Sequence, residues 1–203
     1  MKIALINGSP KSVNSTSENI LKMIKRQISQ YEIFEFKIYT PNISTFDMEH
    51  MSECDILVFA FPLYVDGVPS HLLNCLYQLE NFFTNKTDRS IRVYSLVNCG
   101  FFEGNQAHLA LDIMKNWCEK AGLMWGQGIG IGGGGMIAQQ YRIPDGKGPL
   151  KNIDKALKDL VNNFLNLKTE GNIFVSPNFP RFAYKIGGHM GWRKQAKANK
   201  VKL

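Results

Sequence analysis

The stretch that most constrains the fold is the first eighteen residues. A four-residue apolar run, Ile3-Ala4-Leu5-Ile6, passes directly into Asn7-Gly8-Ser9-Pro10-Lys11-Ser12-Val13-Asn14-Ser15-Thr16-Ser17-Glu18. Helical periodicity follows at once, with Ile20, Ile24 and Ile28 on one face. The pattern predicts a buried strand, a hydroxyl-rich loop and a helix start. Gly8 is read as a sharp turn, Pro10 stiffens the loop, and a helix N-terminus offers unpaired N–H groups with partial positive charge. Ser9, Ser12, Ser15, Thr16 and Ser17 add hydroxyls and Lys11 adds a cation, which together make a phosphate cradle. Part of the cluster also reads as ordinary capping, because Glu18 stands three residues after Ser15 as in a capping box. Capping alone does not call for five hydroxyls, a glycine and a lysine at the end of the first strand.

Two familiar phosphate loops are excluded. The segment has one glycine and matches neither G-x-G-x-x-G nor G-x-x-x-x-G-K-[ST]. Instead, Leu5-Ile6-Asn7-Gly8-Ser9-Pro10-Lys11 resembles the opening of the NAD(P)H-dependent FMN reductases and quinone reductases, a family of flavodoxin-like fold. The resemblance spans about residues 1–136. It implies an FMN cofactor, NADPH or NADH as donor, a small-molecule electron acceptor and a homodimer with the flavin at the subunit interface.

The remaining pattern fits such a fold. Alternation over 33–39 predicts a half-buried edge strand, the apolar run 55–61 a central parallel strand covered on both faces, and 90–98 and 123–131 two further strands. Helical stripes are predicted over 17–29, 70–84, 106–121 and 150–168, with a short helical turn near 48–54. Strands alternating with helices predict an α/β three-layer sandwich around a five-stranded parallel sheet. The resemblance implies the strand order 2-1-3-4-5. Residues 1–170 are taken as the flavodoxin-like domain and 171–203 as a basic, aromatic extension.

Ligands in such sheets sit at the C-terminal ends of the strands, so four loops carry the candidate residues. The first supplies Ser9, Lys11, Ser15, Thr16 and Ser17 to a phosphate. The second, Pro62-Leu63-Tyr64-Val65-Asp66-Gly67-Val68-Pro69, resembles the family's P-L-Y-x-x-x-x-P segment, which implies that Pro62, Leu63, Tyr64 and Val65 edge the flavin ring. Tyr64 also fits a plain exposed tyrosine. The third follows the fourth strand and offers Asn98, Cys99, Gly100, Phe101 and Gly104 to the cofactor, although its phenylalanines equally suit a core. No base can be assigned to Cys99, so that thiol is read as structural. The fourth, the run of glycines at 132–135, is expected to be a flexible loop serving as a lid or an edge for the flavin and incoming substrate, with Gly133, Gly134, Tyr141 and Arg142 near the substrate.

Bulk properties narrow the class. The chain has 203 residues, 44% hydrophobic and 20% charged, which suits one soluble domain. The apolar run at 3–6 is too short for a signal-peptide core and no run reaches the ~18 residues of a membrane span, so a cytoplasmic protein is expected. Cys54, Cys75, Cys99 and Cys118 lack metal spacing, as do His71, His108 and His189, so no metal site is expected. From Arg181 onward there are seven basic residues and no acid, while the other 17 basic residues are matched by 17 acids. No nucleic-acid module accompanies this charge. A solvated basic tail is the default reading of the extension; covering the flavin pocket, docking on a partner subunit and touching an anionic surface are the alternatives. The function expected is NAD(P)H oxidation with electron transfer to a quinone, flavin, nitro or azo compound. A flavodoxin-type one-electron carrier and a non-catalytic FMN or nucleotide module are the alternatives.

Overall fold

A computed structural model of the chain describes residues 1–85, 90–140 and 146–201. Six strands, β1 (Lys2–Asn7), β2 (Glu32–Lys37), β3 (Ile56–Pro62), β4 (Arg92–Asn98), β5 (Met124–Ile131) and β6 (Ile173–Val175), form one sheet in the order β2-β1-β3-β4-β5-β6. Every pairing is parallel. The first five strands and their order are as expected. The sixth is an addition: three residues past 171 pair with Ile129, Gly130 and Ile131 at the sheet edge. A strand this short leaves no alternating pattern to detect.

The connecting segments are α1 (Thr16–Gln27), α2 (Thr45–Ser52), α3 (Ser70–Thr84), α4 (His108–Lys120), α5 (Gly134–Gln140), α6 (Lys151–Leu165) and α7 (Arg181–Ala198), with 3-10 turns at Gly104–Ala107 and Gly148–Leu150. Period-two alternation in the strands feeds two cores. Ala4 and Ile6 of β1 face Leu72, Leu76, Leu79, Met114 and Trp117 of α3 and α4. Ile3 and Leu5 face Ile20 and Ile24 of α1 and Leu157, Leu160 and Phe164 of α6. Both faces of the sheet are thus covered, giving the three layers that the continuous apolar run in β3 requires.

Three expectations change. The glycine run at 132–135 is not a free loop: Gly133 turns with φ +70 and donates its amide to Phe101 O, and Gly134 opens α5 while donating to Cys99 O. Gly8 has no positive φ; its missing side chain makes room for Leu72, whose Cδ2 would lie 2.5 Å from a Cβ at that position. In the extension, α7 runs unbroken through Gly187 and Gly188, although two adjacent glycines disfavour a helix.

Candidate functional site

The site is built where β1 ends. Asn7 is 4% exposed, and its Oδ1 accepts from Ser9 N at 3.1 Å while its Nδ2 donates to Ser15 Oγ at 3.3 Å, so one side chain spans the loop. Ser9 Oγ then accepts from Lys11 N at 3.3 Å. Asn14 takes φ 54, a left-handed conformation asparagine tolerates, and turns the chain into α1. Ser15 is the N-cap: its Oγ accepts from Glu18 N at 3.0 Å, and its carbonyl accepts from Asn19 N at 3.1 Å. The amides of Thr16 and Ser17 are left without an acceptor among the described residues, at the positive end of a twelve-residue helix.

Hydroxyls bind the neighbouring loops together. Thr16 Oγ1 donates to Gly134 O at 3.3 Å, and Ser17 Oγ donates to Asn98 Oδ1 at 2.9 Å. Leu63 N donates to Asn98 O, and Cys99 N to Ile131 O. Four segments distant in sequence are therefore fixed around one concavity of about 220 Å³. Ser9, Lys11, Thr16 and Ser17 line it from the first loop, Pro62, Leu63 and Tyr64 from the second, Asn98, Cys99 and Gly100 from the third, and Gly134 and Gly135 from the fourth. No carboxylate is among these lining residues, and one lysine is. The nearest acid in sequence, Glu18, is held by Lys22 at 3.0 Å and Lys37 at 3.9 Å, and the hydrogen bond from Lys22 draws its carboxyl below the usual range. This environment fits an anionic group.

The other expected residues stand apart from the lining. Ser15 is spent as the cap, and Val65 points fully into solvent with φ 47. Phe101 is half-exposed and contributes its carbonyl to Gly133. Gly104 packs against the sheet edge, where a Cβ would come within 2.4 Å of Gly130 O and Val175 O. Tyr141 and Arg142 lie outside the described residues. Burial raises the Cys99 thiol above its ordinary pKa, and its Sγ lies 3.8 Å from Phe101 O and 3.6 Å from Glu103 O, the environment of an inert thiol. Of the histidines, His71 meets Ile38 O and His108 meets Asn105 O. Among the described residues no group of His, Cys, Asp or Glu is placed to hold a metal, and no helix is long and apolar enough to cross a membrane.

Asn7 and Asn14 escaped the sequence reading. A polar residue closing a buried apolar strand was the available signal for Asn7.

Parallel order 2-1-3-4-5, the N-terminus of α1 after β1 and a concavity at the strand ends decide the architecture. The fold is flavodoxin-like. Solved structures agree at low sequence identity. General stress protein 14 from Treponema denticola, determined in complex with FMN, superposes with TM-score 0.57 at 13% identity over 80% of this chain and 98% of its own. A short-chain flavodoxin associated with a bacterial microcompartment gives 0.55 at 15% identity over 83% and 100%. An NADPH-quinone reductase from P. pentosaceus gives 0.54 at 13% identity over 70% and 95%. No protein-family model and no curated protein matches the chain.

Proposed function

We propose that this flavodoxin-like chain is an FMN-dependent NAD(P)H oxidoreductase that passes electrons to a quinone, flavin, nitro or azo acceptor. One observation carries the proposal: a carboxylate-free concavity at the strand ends lined by Thr16 and Ser17, whose amides have no acceptor among the described residues. The FMN complex among the structural neighbours supports the choice of phosphate ligand. With a quinone acceptor, one NAD(P)H and one proton are consumed, and the quinone gains two electrons and two protons. FMN supplies the two-electron relay between donor and acceptor.

The chain's own residues bind and orient. Helix α1 directs two amides and its dipole at the phosphate, while Ser9, Thr16 and Lys11 add donors and charge. The Pro62-Leu63-Tyr64 segment is tied to Asn98 O through Leu63 N, so the ring-edging backbone cannot drift from the third loop. Asn98 has its Oδ1 occupied by Ser17, which leaves its Nδ2 as the group available to a ligand. Gly134 and Gly135 form the far edge, with Tyr141 and Arg142 assigned to substrate contact. We assign a homodimer, supported by an apolar groove of about 330 Å³ between α3 and α4 that includes Leu73, Tyr77 and Ile113. All four cysteines are free and buried, which suits a reducing cytoplasm.

The test is a titration of apo-protein with FMN followed by anaerobic NADPH or NADH. Quenching of FMN fluorescence at one equivalent, then loss of the visible flavin bands on adding the donor, is the expected result. An apo-protein that takes up no FMN overturns the proposal.

A further inference from the structure

We propose that α7 walls a second chamber beside the cradle and that this chamber receives a flat aromatic anion as electron acceptor. The role as acceptor rests on the function proposed above; the chamber does not. It measures about 540 Å³ and shares Gly100 and Gly135 with the cradle, so the two spaces meet at one glycine-lined border. Helix α7 is fastened there. Tyr184 Oη donates to Gly100 O at 2.7 Å, the Tyr184 and Phe102 rings stand 5.6 Å apart, and Arg181 pairs with Glu103 at 2.6 Å.

Four glycines of the lining carry the argument. At Gly100, Gly135, Gly187 and Gly188 a Cβ would meet nothing within 4 Å, and none of the four has a positive φ. Neither crowding nor backbone conformation therefore calls for glycine, although glycine is the least favourable residue inside a helix after proline. Two adjacent helical glycines bring no packing return within the chain. What they do is keep the chamber wide.

The rest of the wall names the ligand. Phe179, Tyr184 and Trp192 present aromatic surface, and Trp192 is 77% exposed. Lys185 lies on the same wall and forms no ion pair among the described residues. From Arg181 onward the chain has seven basic residues and no acid. A flat ring with a sulfonate, carboxylate or phosphate satisfies both the aromatic wall and the lysine.

The experiment measures binding of naphthalene-2-sulfonate and of neutral 2-naphthol by calorimetry, to apo-protein and to FMN-loaded protein. Naphthalene-2-sulfonate is expected to bind about tenfold more tightly than 2-naphthol in both forms, as one close charge pair allows. Lys185→Gln should reduce that preference to about twofold. Gly188→Ala, which places a methyl in the chamber, should raise the thermal midpoint yet weaken naphthalene-2-sulfonate about tenfold with FMN affinity unchanged. With a sulfonated naphthoquinone as acceptor, the same variant should raise KM and leave kcat near wild type. Unchanged naphthalene-2-sulfonate affinity in Gly188→Ala, or displacement of the probe by FMN, overturns the proposal. Failure of the protein to bind FMN removes only the acceptor role, because probe binding to apo-protein still reports the chamber.

Discussion

Replacing Gly8 by alanine should damage the protein through α3 rather than through the turn. A Cβ at Gly8 falls 2.5 Å from Leu72 Cδ2, 3.3 Å from Leu72 Cδ1 and 3.2 Å from Phe61 Cβ, where ordinary contact begins near 3.4 Å. Leu72 and Phe61 are both 0% exposed, so neither side chain can swing into solvent. Overpacking of this kind costs about 1–3 kcal/mol. Leu72→Ala alone removes a fully buried side chain and costs about 2–5 kcal/mol. In the double variant the new methyl enters the space that leucine leaves, so the two losses should fall short of their sum by about 1–2 kcal/mol, within the range of contacting pairs. Urea denaturation of the four proteins measures the cycle; with m about 2 kcal/mol/M, the coupling displaces the midpoint by about 0.5–1 M from the additive expectation. Additivity within about 0.3 kcal/mol would refute the packing argument and return Gly8 to a purely conformational role.

Three further outcomes follow from the site and the core. Ser17→Ala should cost about 1–2 kcal/mol in urea melts and weaken FMN binding, because it strands the buried Asn98 Oδ1 that Ser17 Oγ reaches at 2.9 Å. Glu18 has a carboxyl lowered by its Lys22 hydrogen bond, so its contribution is present above the ordinary glutamate range and is lost as pH falls through the lowered value; the stability gap between wild type and Glu18→Gln, below about 1 kcal/mol, should close in acid. Tyr94 is buried, donates to Lys168 O at 2.8 Å, and its pKa is pushed up to about 12 by burial. Its contribution should therefore be full below pH 10 and fade as pH rises toward 12, a loss that spectrophotometric titration and alkaline melts should not find in Tyr94→Phe.

How the local and the long-range signals divide is visible in particular residues. The strand–loop–helix order of the first eighteen residues, the double-faced burial of β3 and the amphipathic stripes of α1, α3, α4 and α6 are local patterns, and each element formed within a few residues of its expected bounds. Resemblance supplied the strand order, which periodicity does not encode. Gly126 shows what stays hidden. In the sequence it weakens a strand; in the fold it lies at a register shift opposite Val93 and Tyr94 and gives the Tyr94 ring its space, since a Cβ there would sit 2.4 Å from that ring. Gly104 likewise serves a neighbour, the edge strand β6, that three residues of sequence could not announce.

By itself the sequence determined a strand-and-helix alternation with a hydroxyl-rich, lysine-bearing loop after the first strand, because apolar periodicity and helix-start chemistry act over a few neighbouring residues. Only the tertiary structure decided which hydroxyls are spent inside the protein. Ser15 caps α1, Thr16 reaches Gly134 and Ser17 reaches Asn98. Those partners stand up to 118 residues away, and hydrogen bonds of that reach depend on how the parallel strands stack side by side. The same stacking brings α7 onto the third loop and opens the second chamber, since the position of a chain end is set by what it packs against rather than by its own composition.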